Sequence, residues 1–208
     1  MLRQFIFNCV ALVVIVDPVG TAAIFAGLTR NGSDAHRRRM ALRGTLIATG
    51  LILSFAFGGE FLLLALGVEL PAFQVAGGVL LFFLATEMVF ARHSGLRQTT
   101  DDETAEAERS EDISVFPLAI PLLAGPGALT SIVLLMRQAG GAPSAKALVV
   151  LALVLVMLGT FVVLLTAGPL LRLLGVTGTN VVSRVLGVIL AALAAQLLLT
   201  GVRQALFG

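Results

Sequence analysis

Residues 5–28 read FIFNCVALVVIVDPVGTAAIFAGL. As a helix the stretch is long and apolar enough to cross a hydrocarbon core, which takes about 20 residues. Asp17-Pro18 stands near its middle. Proline has no N–H to donate, its ring clashes with the carbonyl four residues earlier, here Val14, and it pushes the preceding Asp17 toward extended backbone. The pair predicts a spanning helix opened into two half-helices. FPLAIPLLAGPGALTS, residues 116–131, carries a matching break at Gly125-Pro126-Gly127, with Pro126 set against Leu122.

The rest of the chain agrees with a membrane reading. Of 208 residues 58% are hydrophobic and 12% charged, and the mean hydropathy is +1.02. Six apolar stretches, at 5–28, 42–66, 70–90, 114–136, 147–170 and 181–206, account for nearly everything. This predicts an all-α integral membrane protein of six spans. No small-residue cleavage pattern follows the apolar start, so the first span reads as a retained helix rather than a signal peptide. The single Cys9 excludes a disulfide framework.

The basic residues report orientation. Arg30, Arg37, Arg38, Arg39, Arg43, Arg92, Arg97, Arg109, Arg172 and Arg184 lie in or beside the odd-numbered loops, against Arg3, Arg137, Lys146 and Arg203 on the other side. The positive-inside rule then sets the odd loops in the cytoplasm and both termini on the outer, periplasmic side. A formal charge of +2, with the basic residues in loops, gives no footprint for nucleic acid.

One half of the chain falls on the other. Pro18 matches Pro126 and Gly67-Val68 matches Gly175-Val176 at an offset of 108, while Gly78-Val79 matches Gly187-Val188 and Glu87 matches Gln196 at 109. Duplication explains the agreement; chance matching in a Gly- and Leu-rich chain is the competing reading. Residues 1–92 form the first three-helix unit, 93–112 an acidic cytoplasmic linker and 113–208 the second unit. Three spans per unit is an odd number, so repeats must enter the membrane from opposite sides. Inverted repeats of this kind put a substrate site at the midplane, where interrupted helices meet.

With that topology the half-helices after Pro18 and Pro126 both start at the midplane, and two positive dipole ends converge. Freed backbone groups are tolerated in lipid only where protein or a water-filled cavity satisfies them. The expected substrate-binding set is Asp17, Pro18, Gly20, Thr21, Gly125, Pro126, Gly127, Thr130 and Ser131. The dipole ends suit a carboxylate, and Asp17 suits an ammonium, a coupling cation or a proton. Together they complement a small zwitterion. A charge at this depth costs several kcal/mol, about 3 on insertion scales, which makes Asp17 a functional candidate. An Asp cap before an N1 proline accounts for the same residues, and the two readings are compatible.

The stretches DPVGTAAIFAGLT (17–29), LPAFQVAGGVLLF (70–82), EDISVFPLAIPLLAGPGALTS (111–131) and SRVLGVILAALAAQLLLTGV (183–202) resemble the MarC family over essentially the whole chain. The resemblance implies a six-span inner-membrane protein that carries small neutral amino acids rather than drugs. The chain departs from the family pattern at Thr21 and Ala23, where many relatives carry Asn and Pro, at Gln74, often basic, and at Glu60.

Glu87 and Arg184 fall near the inner ends of the third and sixth spans, at depths that permit an ion pair. They are structural glue or a coupling and gating pair. Gln196 reads as a packing contact across helices. Enzyme chemistry has no support: Asp17 lacks a second intramembrane aspartate, both histidines lie in loops, and no metal-ligand spacing occurs. No cofactor or metal is expected. The function read from the sequence is alternating-access transport of small neutral amino acids such as glycine and alanine. A channel or exporter for another small solute, or a non-transporting membrane scaffold, is the alternative.

Overall fold

The computed structural model describes residues 1–30, 32–90 and 112–207, so the acidic segment at 93–111 lies outside the described residues. Eight helical segments are found among them. They are α1 (Leu2–Val16), α2 (Pro18–Leu28), α3 (Asp34–Ala65), α4 (Leu70–Phe90), α5 (Ser114–Leu123), α6 (Pro126–Gln138), α7 (Pro143–Leu165) and α8 (Ala167–Phe207). Five runs are long and apolar enough to cross a membrane, one of them α1 and α2 together at Leu2–Leu28. The bent pair α5–α6 raises the number to six.

Local chemistry explains most boundaries. Ser33 caps α3 by accepting the His36 N–H at 3.2 Å, so this helix starts well before the apolar run expected at residue 42. Its 32 residues span about 48 Å at 1.5 Å per residue, more than a hydrocarbon core, and the surplus first turns carry Arg37, Arg38, Arg39 and Arg43. The chain leaves α3 through Gly67, whose φ of 68° is open to glycine. The fifth apolar stretch, expected to run to residue 170, is cut at Thr166, and a new helix starts at Ala167. That helix, α8, is interrupted at Gly175, with φ 63° and ψ 179°. Its spanning portion is Thr177–Phe207.

The segment α5 is irregular. Phe116 and Ile120 adopt extended backbone, each just before a proline, and the bonds from Leu118 N–H to Ile113 O and from Ala124 N–H to Ala119 O close wide five-residue turns. Its axis meets that of α6 at 56°.

In lipid the apolar effect does not hold helices together, and close packing over small residues takes its place. The longest contact runs between α4 and α8, which lie antiparallel. A Cβ at Gly78 would sit 2.7 Å from Leu198 Cγ and 3.0 Å from Leu198 N, one at Gly187 2.8 Å from Met88 Cβ, and one at Gly201 2.9 Å from Pro71 O. Helix α3 packs on α5 and α6, with Gly44 under Leu118 and Gly59 under Val133, and α7 packs on α1 and α2. Leu12, Leu81, Leu118, Ile132, Leu153 and Leu190 fill the centre, while Phe57, Phe61, Phe83 and Leu199 face outward, where a bilayer accepts them.

Candidate functional site

The first break lies at a single residue. Asp17 has φ 45° and ψ 72°, a left-handed conformation rather than the extended one expected before proline. Aspartate tolerates that region because its short side chain bonds locally. The Asp17 N–H closes α1 on Val13 O at 2.9 Å, its carbonyl accepts the Thr21 N–H at 3.0 Å, and its Oδ1 accepts the Gly20 N–H at 3.0 Å. The Thr21 hydroxyl donates to Val16 O at 3.2 Å, covering a carbonyl that the break has freed. Asp17 is 3% exposed and Thr21 is buried with it. Gly20 makes this possible, because a Cβ there would overlap the Asp17 carboxylate. Pro18, also buried, is the first residue of α2.

The second break is built differently. Gly125 is extended, with φ −71° and ψ 170°, and gives α6 no side-chain cap. Its carbonyl accepts the N–H groups of Ala128 and Leu129 at 3.0 and 3.1 Å, and the Thr130 hydroxyl donates to Pro126 O at 2.9 Å. Gly127 lies under Leu81, whose Cδ2 would be 2.7 Å from an added Cβ. The two helix starts therefore differ in charge: α2 is capped by its own carboxylate, and α6 has none.

One residue beside the first break reaches the second, while Asp17, Pro18, Gly20 and Thr21 line neither of the two spaces described next. Ile15, two residues before Asp17, lines a small void with Gly125, Pro126, Gly127, Leu80 and Leu84. Its volume of about 20 Å³ matches about one water. Ile15 and Leu81 also line a larger cavity of about 260 Å³ between α1, α4, α6 and α8, whose polar wall is Ser131, Gln138, Gln196 and Thr200. Ser131 is 4% exposed, and its hydroxyl has no hydrogen-bond partner among the described residues. A buried hydroxyl left unmatched costs about 1–3 kcal/mol, so this one stands out on the cavity wall.

The remaining sequence candidates sit elsewhere. Glu87 is half-buried on α4 and Arg184 exposed on α8; the contact of Gly187 with Met88 and Val89 puts them on neighbouring turns of that helix pair. Gln196 bonds within its own helix, its amide donating to Thr200 Oγ1 at 3.3 Å, rather than across helices.

Several polar groups had no structural role assigned from the sequence. Gln74 is buried in the α4–α8 contact with its Oε1 unmatched among the described residues, and Asn8 is buried on α1, where its Oδ1 accepts from Gln4 at 3.2 Å. Glu60, unexplained by sequence, pairs with Arg137 and ties the end of α3 to the end of α6. Arg43 reaches Asp112 at 3.1 Å. Only the charge of those residues was visible in advance; the partners lie 77 and 69 positions away.

Comparison with known proteins gives a consistent result. The profile for MarC family integral membrane proteins matches residues 2–206. The chain is 36% identical over 203 residues to the UPF0056 inner membrane protein YhgN of Escherichia coli K12, covering 98% of each chain. It is 34% identical over 205 residues to a UPF0056 membrane protein of Methanocaldococcus jannaschii, covering 99% of this chain and 98% of the relative. A UPF0056 membrane protein of Archaeoglobus fulgidus is 34% identical over 206 residues, with 99% and 95% covered. No solved structure matches the chain. With its apolar helices and a match from end to end, the chain belongs to the MarC family of multi-pass integral membrane proteins.

Proposed function

We propose that this protein is a secondary transporter of small neutral amino acids in the inner membrane, built from two inverted three-helix repeats. The observation that carries the proposal is the buried Asp17 carboxylate at the start of one half-helix, with the start of another, α6, bare of any side-chain cap. A substrate carboxylate settles at the α6 start, near Gly127, where no side-chain cap competes for the dipole end. Its ammonium turns to Asp17, whose own charge already satisfies the α2 start. The structure thus supports a division of labour between the two breaks rather than two equivalent anion sites. Ser131 offers a hydroxyl to the substrate, and the close packing of Gly127 under Leu81 keeps the side chain small.

Reciprocal contacts support the inverted repeat. Gly78 meets Leu198 and Gly187 meets Val89. At the offset of 109, Gly78 falls on Gly187 and Val89 on Leu198, so each contact is the image of the other. Such self-complementarity is what a two-fold relation produces. The matched pair Gly67 and Gly175 also share left-handed backbone, at φ 68° and 63°. Helix α3 packs on α5 and α6 as α7 packs on α1 and α2.

Ligand binding tests the charge assignment. Purified protein in detergent should be stabilised against heating by alanine and glycine. Propionate, which lacks the ammonium, and ethylamine, which lacks the carboxylate, should stabilise far less. Equal stabilisation by a one-ended analogue would remove the zwitterion from the reading and favour a path for another small solute.

A further inference from the structure

The two faces of the molecule carry related pockets of opposite character. One, of about 420 Å³, lies between the end of α3 and the end of α6, and Glu60, Glu69 and Arg137 stand on its wall. The Glu60–Arg137 pair cancels two of these charges and leaves Glu69 as a surplus acid. The other, of about 450 Å³, lies between the end of α2, the start of α3 and the junction of α7 with α8. At the offset of 108, Glu60 falls on Gly168 and Arg137 on Thr29, and both of these line the second pocket. Where one pocket holds an ion pair, the other holds a glycine and a threonine.

The space so released is cationic on one side and apolar on the other. Arg37 and Arg38 line it with a single carboxylate, Asp34, and Arg38 has no ion-pair partner among the described residues. Arg37 is anchored, its Nε donating to Thr29 O at 3.0 Å across the end of α2. The opposite wall is Phe25, Leu164 and Leu165, at the ends of spanning helices. A ligand that fits must be anionic at one end and hydrocarbon at the other, at the depth where a membrane surface meets its core.

We propose that this pocket binds an anionic phospholipid of the Arg-rich, cytoplasmic leaflet. The phosphate lies on Arg38 and the outer edge of the Arg37 guanidinium, and an acyl chain follows Leu164 and Leu165. Basic pockets between spanning helices on that side are suited to such headgroups. The fold alone does not dictate the site, because the related pocket on the other face carries a surplus acid, Glu69, where this one carries a surplus arginine. It is a binding site independent of the transport reading.

The test uses the full chain in detergent, with lipid retention read by native mass spectrometry and lipid-dependent stabilisation by thermal melting. Phosphatidylglycerol should be retained and should raise the melting temperature, phosphatidylcholine should do neither, and inorganic phosphate or glycerol phosphate should have little effect. Arg38→Gln should weaken phosphatidylglycerol binding about fivefold, the contribution of one Arg near a membrane surface. Arg39→Gln removes the same charge from the next residue, which does not line the pocket, and should leave binding within about twofold. Gly168→Phe, at a glycine with open space around it, should displace the acyl chain while leaving the lipid-free melting temperature unchanged. Equal losses in the Arg38 and Arg39 variants would reduce the effect to general surface charge and overturn the site. Full retention in Gly168→Phe would do the same, and equal stabilisation by free phosphate would replace the lipid with a simple anion.

Discussion

The Asp17 carboxylate accepts the N–H of Gly20 at 3.0 Å, and the missing side chain of Gly20 leaves the room it occupies. The cap and the charge can therefore be separated by mutation. Gly20→Ala should expel the carboxylate and destabilise the protein by about 1 kcal/mol, the usual worth of an N-cap, with transport lost. Asp17→Asn keeps an acceptor oxygen for Gly20 and should fold normally while losing the charge. Thermal melting beside uptake distinguishes the two, and a strongly unfolded Asp17→Asn protein would count against a functional role for the charge.

The orphan hydroxyl of Ser131 gives a prediction in which stability and activity move apart. Ser131→Ala removes an unmatched buried polar group, so the melting temperature should hold or rise, by as much as about 1 kcal/mol of stability. If the hydroxyl serves the substrate, KM should rise at the same time. A fall in stability with unchanged KM would make Ser131 a packing residue.

The α4–α8 contact depends on glycines with no room to grow. Gly78→Ala drives a Cβ to 3.0 Å from Leu198 N and 3.1 Å from Ala194 O, backbone atoms that cannot step aside cheaply. Overpacking of that kind costs about 1–3 kcal/mol. Gly159→Ala, in α7 with nothing within 4 Å, should be neutral or slightly stabilising. Detergent melting of both variants decides it.

At the edge of the membrane, Asp112 titrates with a defined sign. The Ser114 hydroxyl and N–H donate to its carboxylate, with Arg43 adding a further contribution, and together they hold its pKa below the ordinary value of 3.8. A carboxyl depressed in the folded state contributes stability above its ordinary pKa and loses it as pH falls through the folded value. Wild type should therefore melt higher than Asp112→Asn at pH 6, and the gap should close toward pH 3. Both side chains of the Arg43–Asp112 pair are about half exposed, so the gap is small.

The all-helical fold and its apolar spans were legible because hydropathy acts locally. The left-handed backbone at Gly67 and Gly175 was not read from the sequence, where the two glycines counted only as matched positions. What escaped depended on tertiary partners or on chemistry with two solutions. Asp17 was expected extended, but its side chain found a better bond by turning left-handed. The early start of α3 was written in Ser33, yet an apolar window does not see a polar cap. The irregular course of α5 follows from Pro117 and Pro121, four residues apart, each imposing extended backbone on its predecessor. The cavity beside Ser131 comes from four helices at once, and no segment of sequence announces it.

Counterflow in proteoliposomes tests the central claim most directly. Vesicles loaded with unlabelled alanine should accumulate labelled alanine transiently above equilibrium, with saturable kinetics, and Asp17→Asn at equal incorporation should abolish or uncouple that accumulation. Flux without counterflow, or counterflow unchanged in Asp17→Asn, would contradict the account.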